Sequence, residues 1–592
     1  MISQTTRERW LLDRQEFLKD GAAAHGLMKR TNGAGEHLLA LEIGETLVAD
    51  GEFPDKVPVL QQMARALAVL GSSDEARKIL EGIAAGRADE AETLGLLARV
   101  WKDLAAVAGD AEERTRCFTE SLRCYAKGFD SAIARNDADG AAYCGINAAA
   151  VALWLDDGEK AAGYAGKAFE FAAKDSSYYG IATRAEAALI LKREEEARLL
   201  YGEASAKSVS EKRWADLAST RKQCRALCLK IHGRRDQFDG CFTSGSVAIL
   251  SGQESEDFPE DARGRIKAWL IENEVRHAFV GAVAAWDREL AGIAQELDIE
   301  THLVLPFGAA VPDGELGKKA VSITVLNSVT DAGSKGARNF THRMIAARGV
   351  LLAGHLGVPL KALAVGDDPA ATGAPVWLGS HIEPFSIHPT QPEQDGIPPK
   401  DVPPDPIPFP RTMGVGMDKE PVIALLHLHF PGYGKLDGKG YAVFQKAVLD
   451  TLSVRLASAE HPPISRHGHG GEYLFVFGNL YPAALMAMDF LKELEKTMAG
   501  TGLELPSMCL HAGLVRMDVN PLLNIYAPAG ENVSRTGLIA AGLPPGAICA
   551  TEIFTALSAL ELLRGFRFEH SGNILINGRA DRLFRLHPTD RP

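Results

Sequence analysis

The sequence predicts a multidomain α and α/β protein: an α-solenoid first, an α/β domain next and an α+β domain last. Three observations predict it. Apolar residues of the first third recur at i, i+3, i+4 and i+7; the middle alternates short apolar runs with helical stretches; and a proline-dense stretch sets off the last quarter. At 592 residues the chain has room for three or four domains of about 150 residues each. With 46% hydrophobic and 24% charged residues, it can bury large cores. The formal net charge of −13 excludes broad nucleic-acid binding, since neutralising phosphates needs a basic face. No run of about 20 apolar residues predicts a membrane span, and no signal peptide is expected. Eight cysteines without CxxC spacing read as reduced thiols, so the expected location is cytoplasmic, away from membranes.

Residues 1–235 are rich in Ala, Leu, Glu, Arg and Lys. Val57–Leu70, Asp74–Ala84, Ala91–Val107 and Glu113–Ala132 each carry an apolar stripe at helical spacing. The units recur at about 35–45 residues per helix pair, the period of stacked helical repeats. Glu92–Leu104 (ETLGLLARVWKDL), Tyr125–Asp130 (YAKGFD), Tyr143–Ala150 (YCGINAAA), Tyr178–Leu189 (YYGIATRAEAAL) and Ala218–Arg225 (ASTRKQCR) occur in order. Together they resemble the tetratricopeptide-like region beside the kinase of apoptosis-signal-regulating kinases. Related regions occur in bacterial signalling proteins, and the resemblance implies a nucleotide-sensing role. Lys102, Asp103, Asn147, Arg184 and Arg221 stand among small residues. On a concave face they would hold a phosphorylated ligand, with Arg221 bidentate and Asn147 reading a base or sugar edge. The alternative is structural: Asn147 caps a helix, and the arginines are solvated or pair with Glu186 and Asp216.

In residues 236–383 the periodicity changes. Ser246–Leu250, His277–Val280, His302–Leu305 and Ala362–Val365 read as strands, separated by helices at Asp261–Glu272, Asp287–Leu297 and Arg343–Leu356. That alternation predicts a parallel sheet with helices on both faces, and ligands in such sheets sit beyond the carboxyl ends of the strands. Ser251, Gly252, Gly281, Pro306 and Gly366 would form that edge. The domain resembles Rossmann-like nucleotide-binding modules. Where many of those carry Gly-Ser-Ala-x-x-Gly-Ala-Asp, this chain has Gly281-Ala282-Val283-Ala284-Ala285-Trp286-Asp287, and Trp286 is expected to fill the pocket. There is no GxGxxG fingerprint and no P-loop.

Residues 384–417 are the expected spacer. Ten prolines lie between Pro384 and Pro410, which rules out a helix or a central strand and predicts a semi-rigid tether that lets the last domain move.

Residues 418–592 carry three motifs. Val422–Gly434 (VIALLHLHFPGYG) is a strand and turn, Arg466–Phe477 (RHGHGGEYLFVF) a hairpin, and Tyr526–Leu538 (YAPAGENVSRTGL) a loop and helix start. In order they resemble the catalytic domain of class III adenylate and guanylate cyclases, which implies a ferredoxin-like α+β fold. Gly546–Phe554 and Phe566–Leu586, with Asn577-Gly578 at a tight turn, resemble the family's later strand-helix and closing hairpin. On the family's catalytic frame His429 takes the first metal carboxylate, Gly471 the second, Ser534 the asparagine and Leu538 the arginine. Glu472 lies one residue from the second position, which in a strand turns it to the opposite face. His429, His467 and His469 read as turn residues and not as a metal centre.

Mg²⁺ wants carboxylate oxygens, and losing an arginine of this kind is worth about 10³–10⁵ in rate in GTPases. The reading is therefore a degenerate cyclase-homology domain in a bacterial-type sensor, with no catalytic residues, no metal and no cofactor. A nucleotide-type small molecule or a protein is the expected partner; cyclase domains assemble as dimers with shared sites, so the resemblance implies that the last domain either homodimerises or pairs with an active partner and supplies half a site. One alternative is an atypical cyclase using Glu472, Asp437 and His429 with Mg²⁺ or Mn²⁺. Another is a tetratricopeptide-like scaffold that binds peptides.

Overall fold

The computed structural model describes residues 10 and 13–588, apart from 34–36, 71, 88–90, 109, 243–244, 254–257, 259, 307, 311, 313, 327–334, 368–371, 379–381, 388–421, 521–524, 564 and 577–578. The chain forms two compact units. The first comprises Met1–Ser244, Gly542–Ala547 and Arg567–Pro588, and the second comprises Gly245–Ala541 and Ile548–Phe566. The strands Phe566–Ile576 and Arg579–Pro588 close the described chain. Asn577-Gly578 lies outside the described residues.

In the first unit, successive helices between Arg14 and His232 pack against their neighbours in chain order. Those used below are α1 (Ala91–Val107), α2 (Ala138–Trp154), α3 (Tyr178–Ile190) and α4 (Trp214–His232). Small side chains allow close stacking: Ala148, Ala149, Ala150, Val151 and Ala152 of α2 are all buried, packed between cores on either side. Four connections share one geometry. Asn136, Asp156, Lys192 and Lys212 adopt left-handed φ of 55°, 62°, 60° and 52°. The next residue's N–H then reaches back five residues, from Asp137 to Ala132, Asp157 to Ala152, Arg193 to Ala188 and Arg213 to Ser208, each at 2.9 Å. This closes each helix C-terminus, and in the first two turns the residue after the bend starts the next helix: Asp137 and Asp157 accept the Gly140 and Lys160 N–H groups at 2.9 and 3.1 Å.

The second unit opens with six parallel strands, β1 (Ser246–Gly252), β2 (Val275–Val280), β3 (Glu300–Leu305), β4 (Ser322–Val325), β5 (Leu360–Val365) and β6 (Phe385–Ile387), in the order β4-β3-β2-β1-β5-β6. The order reverses between β1 and β5. One face, with Ala248, Leu250, Ala278, Val280, Leu303 and Leu305, packs on Ile266, Leu270 and Leu290 of the helices Glu260–Glu272 and α5 (Ala285–Glu296). The other carries α6 (Lys335–Leu356), where Gly349 lies so close to Ile249 that a Cβ would stand 2.4 Å from its Cγ2. The sheet runs past the expected start of the spacer: β6 adds three residues as an edge strand, the one place where a proline-flanked segment can join a ladder. Residues 388–421 lie outside those described.

The remaining strands are β7 (Val422–His429), β8 (Ser465–His469), β9 (Glu472–Phe477), β10 (Ser507–Leu514), β11 (Arg516–Asn520), β12 (Ile525–Ala529) and β13 (Ile548–Thr551), and β11 and β12 pair as a separate ribbon. β7 is central, antiparallel to both β9 and β10, and β13 runs parallel to β10. The helix α7 (Glu531–Ala541) crosses this sheet, and α8 (Glu552–Leu560) follows β13. α8 packs on α6. Arg348, which is buried, meets the half-buried Glu552 at 2.9 Å, and Arg343 meets Glu561 at 3.1 Å. This contact corrects the expectation that the last domain moves freely from the α/β domain: two packed helices and the ion pairs between them hold the two together.

Candidate functional site

Register places the first site. In β9, β7 and β10, residues directly opposite share a face, giving the rows Glu472–His429–Ser507, Leu474–His427–Cys509 and Val476–Leu425–His511. The helix α7 lies over those rows: Asn532 bonds His511, a Cβ on Gly537 would stand 3.0 Å from the His427 ring, and the Ala540 carbonyl accepts from Ser507 Oγ at 2.7 Å.

At the open end of this face Glu472 sits between two histidines. Its Oε2 accepts from His427 Nε2 at 2.7 Å, and its Oε1 pairs with His429 Nδ1. Burial lowers the pKa of His427, an effect that the neighbouring carboxylate opposes. The sequence expectation that Glu472 turns away is wrong. Glu472 is itself the register partner of His429, because the hairpin bend at Gly470, with φ of 62°, takes up the extra residue. Gly471 cannot carry a side chain in place: a Cβ would stand 2.7 Å from that of Tyr433, and its carbonyl accepts the Phe430 N–H at 2.9 Å. Ser534 and Leu538 both lie exposed along α7, Leu538 at 50%. Asp437 is spent as a helix cap, accepting the Gly440 N–H at 2.7 Å. His467 bonds Ser465 Oγ at 2.6 Å on the outer strand.

Sequence reasoning missed His511 and Asn532. His511 is buried, bonded to Thr551 Oγ1 at 2.9 Å and Asn532 Oδ1 at 3.1 Å, while Asn532 Nδ2 donates to the Leu514 carbonyl at 3.0 Å. Burial lowers the His511 pKa to about 4. Gly513 makes room for Asn532, with a would-be Cβ at 2.7 Å from its Nδ2. A histidine alternating with apolar residues was the available signal, but it names no partner.

The expected edge of the α/β domain is internally satisfied. Ser251 and Gly252 lie within β1 and not beyond it. Ser251 Oγ accepts the Gly373 N–H at 3.1 Å, the Gly252 N–H donates to Asp287 Oδ1 at 2.8 Å, and the Gly366 N–H donates to the Ile387 carbonyl at 3.1 Å. A Cβ on Gly281 would come within 2.3 Å of Asp287 Oδ2. Trp286 is buried against Phe258 and Gly252. The residue that organises this edge is Asp287, which sequence reasoning left as the end of a motif.

In the first unit, Lys102 of α1 donates to Asn147 Oδ1 at 3.2 Å, and Asn147 Nδ2 donates to the Tyr143 carbonyl at 2.9 Å. Asn147 is therefore in the middle of α2 and caps nothing; Asp137 is the cap. Arg221 pairs with Asp239 at 3.6 Å and not with Glu186 or Asp216, and Arg225 grips the same carboxylate at 2.6 Å. Glu186 of α3 accepts from Gln223 of α4 at 3.1 Å, and burial raises its pKa to about 7. Burial lowers the Lys102 pKa and raises that of Asp103. Lys102 with Asn147 and Glu186 with Gln223 are thus two hydrogen-bonded polar pairs on successive named helices, α1 with α2 and α3 with α4.

Residues 36–152 match the family model TPR-S, Tetratricopeptide Repeats-Sensor. No curated protein matches the chain. Solved structures similar to it include adenylyl cyclase CyaB from P. aeruginosa, at 14% identity over 29% of this chain and 95% of that one, with a TM-score of 0.25. The guanylate cyclase domain of RhGC from Catenaria anguillulae, in complex with GTP, matches at 12% identity over 29% and 98%, with a TM-score of 0.25. A thermophilic TPR protein from Thermus thermophilus matches at 18% identity over 33% and 95%, with a TM-score of 0.28.

Proposed function

We propose that the chain is a sensor whose helical repeats take a nucleotide-type ligand and whose cyclase-homology domain binds or dimerises without catalysing. The observation that carries this reading is Glu472 between His427 and His429. A carboxylate that must serve Mg²⁺ presents oxygen lone pairs to the ion, and here both oxygens accept from imidazoles where the family's frame puts the metals. Gly471 is closed by Tyr433, Asp437 is spent on a helix, and Leu538 offers no donor to a transferring phosphate. The first unit supplies the recognition half, with Lys102 and Asn147 presented together and Arg184 on α3. The α/β domain, which we take as Rossmann-like, packs on the last domain through α6 and α8, and the setting is that of a cytoplasmic, bacterial-type signalling protein.

The test is a cyclase assay on the full chain with ATP and GTP, in Mg²⁺ and then Mn²⁺, following product by mass spectrometry, with calorimetry of nucleotide binding in parallel. The expected result is no cyclic nucleotide, with binding that weakens in Lys102→Ala. Product that disappears in Glu472→Ala would make this an enzyme and overturn the reading.

A further inference from the structure

The α/β domain holds a second polar cluster that the functional reading does not use. His277 of β2 and Glu300 and His302 of β3 lie on one face of the sheet, at the amino-terminal half of the strands and at the opposite end from Gly281 and Pro306. One ligand atom from each of the three lies within 4.8 Å of the other two. The two imidazoles are 4% and 6% exposed. Glu300 Oε2 stands 3.3 Å from His277 Nδ1, His302 Nδ1 bonds Ser322 Oγ of β4 at 2.8 Å, and the His302 ring stacks on Phe279 at 4.5 Å.

We infer that His277, Glu300 and His302 bind a divalent first-row metal ion, Zn²⁺ foremost, with an open fourth position for water. Three arguments carry this. The ligand set of two imidazoles and one carboxylate is one that zinc accepts when it keeps an open position. A plain ion pair would account for His277 and Glu300 but not for His302 converging on the same point. Finally, ligating histidines are oriented by partners on the other ring nitrogen, and Ser322 holds Nδ1 of His302 while Phe279 fixes the ring plane, so that His302 would ligate through Nε2. The site is separate from the proposed nucleotide groups and stands or falls without them.

The test uses the full chain, stripped with a chelator and titrated with Zn²⁺ against a chromogenic competitor, with bound metal counted by mass spectrometry and Co²⁺ used as a visible-absorption probe. One ion per chain is expected, with affinity at least about tenfold weaker in Glu300→Gln and His302→Ala and an intermediate loss in Ser322→Ala. Glu300→Gln keeps the side-chain shape and decides the matter if His302→Ala does not fold; His467→Ala serves as the unaffected control. A chain that takes up no Zn²⁺ at micromolar concentration overturns the inference. So does uptake that is unchanged in Glu300→Gln, because the ion would then sit elsewhere.

Discussion

One glycine and two histidines decide how the face between α7 and the central strands is built. Gly537 lies over His427 so closely that a methyl group would stand 3.0 Å from the ring. Gly537→Ala is therefore expected to push the imidazole off Glu472 and lower the melting temperature by a few degrees, which differential scanning calorimetry would register. His511 titrates at about 4 in the fold against 6.5 when free. As pH falls the unfolded chain takes up the proton first, so its contribution is complete above pH 6.5 and drains away towards pH 4. Between pH 7 and pH 5 this amounts to about 2 kcal/mol. Urea titrations at the two pH values should show a smaller loss in His511→Gln than in the parent; an equal loss would mean that His511 is not the group responsible.

At the scale of elements, the inter-helix turns carry much of the repeat geometry. Asp137→Ala removes the acceptor for the Gly140 N–H and is expected to cost about 1 kcal/mol by chemical denaturation. Lys192 sits at φ 60°, a conformation that glycine adopts freely, so Lys192→Gly should be neutral or stabilising by up to about 1 kcal/mol. These turns also mark what the sequence could not disclose. Helical spacing gave Val57–Leu70 and Ala91–Val107 to the residue, because an apolar stripe is written in the side chains themselves. Two of the left-handed turns fall on Lys192 and Lys212, a residue type that does not announce them, unlike Asn136 and Asp156. In the last domain the motif order placed His429 and Glu472 near each other, but their pairing depends on the bend at Gly470, and a one-residue change of register is invisible in a single strand. The His277, Glu300 and His302 cluster escaped notice for a related reason: its members lie on two strands separated by a helix, and only the register of β2 with β3 brings them together.

At the scale of the whole molecule, the second unit is held by buried charge as well as by apolar packing. Arg348 is 3% exposed where it meets Glu552, 17% exposed, and its guanidinium also lies 5.7 Å from the centre of the Phe279 ring. Glu552→Gln removes the carboxylate that faces this buried charge and should cost about 3 kcal/mol. Replacing both partners by Met should recover much of the loss, since neither charge then needs a counterpart. A double-mutant cycle would measure this, and additive losses would show that the two groups do not sense each other. The packing of α6 on α8 has a further consequence. Two stretches of chain, one ending at Ile387 and the other beginning at Val422, are packed together through α6 and α8 and need no peptide bond between them to stay together. A protease cut anywhere in residues 388–421 should therefore yield fragments that co-elute under native conditions and part only in denaturant, and the two halves, expressed from separate reading frames, should find each other.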